Sequence, residues 1–338
     1  TAISFIYGLA IYYIYHIIYL KNIKGTMEFR KLMAFGNSSF IISIPKAWIE
    51  KNRLKKGDVL LVEQKPNELI LTTRDESEKR TINEVTINPE GKTFYEFKTE
   101  IISLYVSNYD LITVVNITDA AAVKDIFRNL VGMEIVEETA SKIVAKDLLD
   151  IQEVSLENIV RRLDIIIRSM LTDAVELDDK NAESIIGRDK EVNRLSLLGF
   201  RTAKAATDNP RLLKMFNTTY WNVMIAKNVM AELERFADQV KRIARTVKEE
   251  KFDKKSRVEI ARLLKSMSDT YKENMKIYYD KNRNVAIKAE TNTRGLLKDC
   301  EKLVKKNSSI PTVKVISYFQ LMVGSMKGIL RTVREYEN

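Results

Sequence analysis

Leu156, Ile159, Val160, Leu163, Ile166, Ile167, Met170, Leu171, Ala174 and Val175 recur at intervals of three and four. On an α-helix that spacing gathers them into one apolar stripe. Such a stripe has to be buried against other helices, so a helical bundle is expected over residues 153–338. Glycine and proline are scarce, 11 and 5 in 338 residues, where ordinary use is roughly 7% and 5%. Long helices with few tight turns follow. At 45% hydrophobic residues the chain can bury a sizeable core, and its length suits more than one domain.

The helical part carries an internal repeat. DKNAESIIGRDKEVNRL (179–195) aligns with DKNRNVAIKAETNTRGL (280–296) at an offset of 101. Ser169-Met170 echoes Ser266-Met267 at an offset of 97, and RTVKE (245–249) echoes RTVRE (331–335) at 86. Each copy is expected to supply about three helices. The repeat and the phrase LERFADQVKRIAR (233–245) together resemble PhoU, the regulator of phosphate uptake, over roughly residues 155–338. The resemblance implies a PhoU-like bundle of two three-helix repeats, with acidic motifs that hold metal ions. In the first copy the matching residues are Asp189 and Asn193, then Glu234 and Asp238. Hard cations take about six or more oxygen ligands. Three carboxylates and one amide are an incomplete but usable set for a divalent or ferric ion. In the second copy the equivalents are Glu290, Arg294, Gln320 and Gly324, and no metal is expected there. The plainer reading of Glu234 and Asp238 is pairing with neighbours such as Lys241 or Arg235, worth about 0.3–0.5 kcal/mol per exposed pair. Trp221, Phe216 and Tyr220 read as packing residues, Met322 and Met326 as buried filler, and Cys300 as a small apolar residue.

A different pattern precedes the bundle. In MEFRKLMAFGNSSFIISIPKAWIEKNRLKKGDVLLVEQKPNELILTT, residues 40–44, 59–64 and 69–73 read as strands and 47–52 as a helical turn. Elements this short bury no core alone, so the module needs a partner. The pattern GNSSFIISIPKAWIEKNRLKKGDVLLVE resembles the AbrB/MazE/SpoVT swapped-hairpin DNA-binding domain, over residues 27–78. That implies an intertwined homodimer whose N-terminal strand and loop lie against DNA. Charge agrees independently. Residues 27–56 hold seven basic and two acidic side chains, a net of +5, which suits a phosphate footprint. Arg30, Lys31, Ser38, Ser39 and Lys46 are the expected DNA contacts, Arg30 for a base edge and the serines for phosphate oxygens. The plainer reading leaves the serines in a turn and the lysines solvated.

Residues 79–152 read as a small α/β connector after a charged linker at 75–80. Helices are expected at 95–107 and 120–131, strands at 111–116, 133–137 and 142–145. VGMEIVEET (131–139) resembles the segment that joins the two halves in prokaryotic proteins of this build. Residues 1–26 contain an uncharged apolar run of 18 at positions 3–20, the lower limit for a membrane span. The chain begins with Thr, and this segment reads either as upstream translation ahead of Met27 or as an anchor.

One Cys and one His, Cys300 and His16, leave no disulfide framework, thiolate zinc site or Ser-His-Asp triad. No glycine motif for a dinucleotide or a P-loop is present. The net charge of +10 favours an anionic partner. The sequence thus reads as an α+β, mainly α, cytoplasmic regulator and not an enzyme, with no small-molecule substrate. Its expected partners are DNA, a second copy through the β module and, by the PhoU resemblance, components of a phosphate transporter or a sensor kinase. The alternatives are a protein-interaction regulator in which the β module only dimerises, and an antitoxin, against which the large helical half argues.

Overall fold

The computed structural model describes residues 28–36, 39–64, 67–73, 82–176, 178–250 and 252–335. The expectation for residues 1–26 lies outside them. The chain divides into two units, residues 1–80 and 81–338.

In the first unit, β1 (Met33–Phe35) and β2 (Ser39–Ile41) pair antiparallel, Met33 opposite Ile41. Gly36 takes φ +65° between them, a left-handed conformation that glycine adopts without strain. Helix α1 (Lys46–Lys51) starts directly after Pro45, whose ring fixes φ and whose missing N–H has no role ahead of a helix. The helix ends where Asn52 turns its amide Nδ2 back to Trp48 O at 2.7 Å and Arg53 adopts φ +54°. Strands β3 (Leu60–Gln64) and β4 (Leu69–Thr73) form a second antiparallel pair. The strand expected at 40–44 is shorter, because Pro45 and the exposed Ile42–Ser43 segment leave the ladder after Ile41.

The second unit opens with a mixed sheet in the order β5-β6-β8-β7. It comprises β5 (Glu84–Ile87), α2 (Phe94–Val106), β6 (Leu111–Val115), α3 (Ala120–Arg128), β7 (Met133–Glu138) and β8 (Lys142–Asp147). β5 and β6 run parallel across the α2 crossover, and β7 and β8 are an antiparallel pair. A reciprocal cap starts α2: Thr93 Oγ1 accepts from Glu96 N and Glu96 Oε2 accepts from Thr93 N. Alternation along β6 buries Ile112 and Val114 against Phe97, Ile101 and Tyr105 of α2 and Ile126 and Phe127 of α3.

Among the described residues six long helices follow, with a short one between the second and third. They are α4 (Leu156–Val175), α5 (Asp179–Asp208), α6 (Pro210–Met215), α7 (Tyr220–Glu249), α8 (Lys254–Asp280), α9 (Arg283–Lys306) and α10 (Ile310–Arg334). Asp178, Thr219, Asp253 and Asn282 each accept a backbone N–H at a helix start, a cap worth about 1 kcal/mol. The stripe on α4 is buried as its spacing requires, with Leu163, Ile167, Met170 and Leu171 at 0% exposure. Helix α7 packs on α4, α5 and α10, and Phe236 of α7 stacks on Tyr271 of α8 with ring centres 4.7 Å apart. Met322, Met326 and Cys300 are buried as expected. Tyr220 and Trp221 are not core: both are exposed at the start of α7, where Trp221 Nε1 donates to Glu335 O at 2.7 Å.

Sheet and helices are locked by one buried ion pair. Arg201 of α5 donates through Nη2 to Asp147 Oδ2 at 2.5 Å, and both side chains are 1% exposed. The guanidinium also lies 4.6 Å from the centre of the Tyr105 ring. Tyr105 donates to Val131 O at 2.9 Å, and burial pushes its hydroxyl up to about 12. Among the described residues no helix is long and apolar enough to cross a membrane.

Candidate nucleic-acid interface and acidic cluster

No described residue before Ile87 is buried. Phe29, Phe35 and Phe40 are 97%, 65% and 68% exposed, and Val59, Leu61, Val62 and Leu69 are also exposed. An apolar surface of this extent on so small a module marks an interaction face. The basic residues share that module. Arg30 is ion-paired with Glu28 two residues earlier. Lys31 is exposed just before β1, and Ser39 is exposed as the first residue of β2. Lys46 opens α1, with Nζ 3.5 Å from Glu50 Oε1 and both side chains largely in solvent. Such a pair is weak and leaves the lysine able to meet a phosphate. Ser38 lies outside the described residues. Lys51, Arg53, Lys55 and Lys56 are exposed as well, and extend the basic surface beyond the five expected contacts.

The four expected metal ligands lie on α5 and α7, and the structure brings Asp189 and Asp238 to one group, the ammonium of Lys241, with Asn193 bonded to Asp189. Lys241 Nζ is 2.7 Å from Asp189 Oδ2 and 2.7 Å from Asp238 Oδ1. Asn193 Nδ2 donates to Asp189 Oδ2 at 3.2 Å, and Arg242 Nε donates to Asp238 Oδ2 at 2.6 Å. Burial disfavours the charged Lys241, but hydrogen bonds to Asp189 and Asp238 outweigh it and raise its pKa overall. Glu234 is raised from the usual carboxylate range, first by burial and then by Asp238 and Asp189. Among the described residues no three His, Cys, Asp or Glu side chains are placed to hold a metal ion. An ammonium bridges the two aspartates, and a metal ion on them requires its displacement. The pairing expected along the helix is present for Asp238, with Lys241 and Arg242, and differs for Glu234. Lys241 goes to the aspartates and Arg235 Nη1 to Glu232 at 2.8 Å. Glu290, on α9, pairs with Arg334 at 3.1 Å.

Residues 34–79 match the family model described as "Antidote-toxin recognition MazE, bacterial antitoxin". This agrees with the AbrB/MazE-type module read from the sequence, and such domains bind DNA and dimerise. No curated protein and no solved structure gives a match to the chain. Nothing in these comparisons supports the PhoU-like reading of the helical part.

Proposed function

We propose that this protein is a DNA-binding regulator that acts as a homodimer through its N-terminal β module. One observation carries the reading. A MazE/AbrB-type module, with no described side chain buried in a single copy, joins an exposed apolar face to a net charge of +5 over residues 27–56. The apolar face suits a second copy, and the charge suits a phosphate backbone. Arg30, Lys31, Ser38, Ser39 and Lys46 are the proposed contacts. The protein acts without catalysis, in the cytoplasm.

The finer reading gives the helices a sensory task. Six long helices are taken as two three-helix repeats, α4-α5-α7 and α8-α9-α10, that relay phosphate status to the DNA module. Its support is the 179–195 to 280–296 repeat and the LERFAD phrase. An antitoxin role rests on the name of the matched family alone, and the rest of the chain adds nothing to it.

Gel-shift titration tests the DNA reading. The full chain should bind duplex DNA with an affinity that falls steeply with salt. Replacing Arg30 and Lys31 by Ala should lower the slope of log affinity against log salt by about 0.9 for each phosphate no longer neutralised. An unchanged affinity and slope would remove its main support. For the finer reading, the promoter of a phosphate transporter operon should bind more tightly than random DNA at physiological salt. Equal binding sinks that part alone.

A further inference from the structure

A cleft of about 450 Å3 opens where α2 and α3 of the sheet layer meet α5 and α7 of the helical layer. Its volume lies in the range of small-molecule sites, roughly 300–1,000 Å3. The apolar lining is Ile102, Ile126, Leu130, Leu197 and Phe200. The charged lining is unequal: Lys98, Lys190 and Arg194 stand against Asp125 and Glu234. Lys98 and Lys190 are exposed, and neither pairs with an acid among the described residues.

Two further wall groups are uncommitted. Ser196 is 1% exposed, and its Oγ has no hydrogen-bond partner. Arg194 Nε is likewise shut from solvent and unpartnered, while its Nη1 reaches Glu191 at only 3.4 Å. Buried polar groups in native proteins are nearly always hydrogen-bonded, so each unmade donor calls for an acceptor, and Arg194 Nε lies on the same face of α5 as Lys190. Lys98 and Lys190 carry charge that no described acid pairs, which favours a single negative charge. A dianion would meet Asp125 and Glu234 at extra cost.

We propose that this cleft binds a small amphipathic monoanion, with an apolar body over Ile126, Leu130 and Phe200 and a carboxylate head held by Arg194 and Lys190, which share one face of α5 at a spacing of four. The walls belong to two layers of one unit, so an occupant adds contacts to both and strengthens the joint made by Arg201 and Asp147. The site's lining lies within the second unit, and its test is independent of DNA binding.

Isothermal titration calorimetry of the full chain with octanoate, and with octylammonium as the charge-reversed control, tests it. Octanoate should bind saturably, one per chain, and octylammonium should not. Arg194→Gln should weaken octanoate binding about tenfold or more, the loss of one charge-assisted hydrogen bond. Lys190→Gln, at an exposed position that the fold does not need, should weaken it severalfold. If circular dichroism shows Arg194→Gln to be misfolded, the Lys190→Gln result decides. Failure of octanoate to bind, equal binding of the two amphiphiles, or parental affinity in the Lys190→Gln variant would overturn the proposal.

Discussion

Lys241→Met removes the ammonium that joins Asp189 to Asp238 and keeps an apolar stem of similar length. Asp189 is 4% exposed and would retain only the Asn193 amide at 3.2 Å, its Oδ1 being unpartnered already. Asp238 would keep Arg242 at 2.6 Å, and its side chain is 22% exposed. Breaking a buried ion pair by deleting one partner costs about 3–5 kcal/mol. The surviving Arg242 bond and the exposure of Asp238 reduce this to about 2–4 kcal/mol. Urea unfolding followed by helical circular dichroism measures it. The loss should also depend on pH. Without Lys241, Glu234 loses a cation that lowers its pKa, while burial and the charges of Asp238 and Asp189 still raise it, so the folded variant takes up a proton there more readily than the unfolded one. Stability gained from that proton is fully present below the unfolded carboxylate pKa, about 4, and is lost as pH rises through the folded value. The deficit against the parent should therefore shrink as pH falls from about 7.5 toward 4. A deficit below about 1 kcal/mol, or one that does not move with pH, would refute the bridging role of Lys241.

Two further outcomes can be checked in the same way. Arg201→Met should cost about 3–5 kcal/mol by stranding the buried Asp147 carboxylate, and adding Asp147→Leu should recover part of that loss in a double-mutant cycle. Glu234→Gln should stabilise the protein at neutral pH, since burial and the nearby Asp238 and Asp189 raise the native carboxyl. The gain should close as pH falls to the unfolded glutamate value of about 4.3, and a gain that stays constant with pH would contradict the raised pKa.

Local pattern carried most of the fold. The α4 stripe is visible because helical periodicity is a property of neighbouring residues, and the β6 alternation likewise places Ile112 and Val114 inward. The expected helix at 120–131 overran: α3 ends at Arg128, Asn129 caps it, and Gly132 turns the chain with φ +86°. A Cβ on Gly132 would lie 2.6 Å from Leu149 Cβ, so that turn is set by a neighbour 17 residues away. Strand β5 was hidden for a similar reason. Its four residues follow a charged linker, and only the parallel pairing with β6 makes them a strand. Tyr220 and Trp221 have helical spacing, but periodicity says nothing about whether another element covers the end of a 30-residue helix. In the acidic cluster, the spacing of Asp238 to Lys241 and Arg242 was legible on one helix. The bond from Lys241 to Asp189 spans 52 residues and had no local signature.

The two units differ in what can hold them together, and this bears on how a regulator of this build could switch. The second unit buries its own core of aliphatic and aromatic side chains on six long helices, with Arg201 and Asp147 pinning the sheet to them. The first unit has two short antiparallel pairs and a six-residue helix, and no described side chain in it is buried. Elements that short cannot offset the entropy of ordering their backbone unless apolar surface is covered from elsewhere. On the proposed reading the cover is a second copy, so the DNA-binding surface is complete only in the assembled dimer. Its formation then follows mass action and rises with protein concentration. The second unit would already be folded at concentrations where the first is unpaired. DNA binding could therefore vanish on dilution while the helical signal of the protein stays intact.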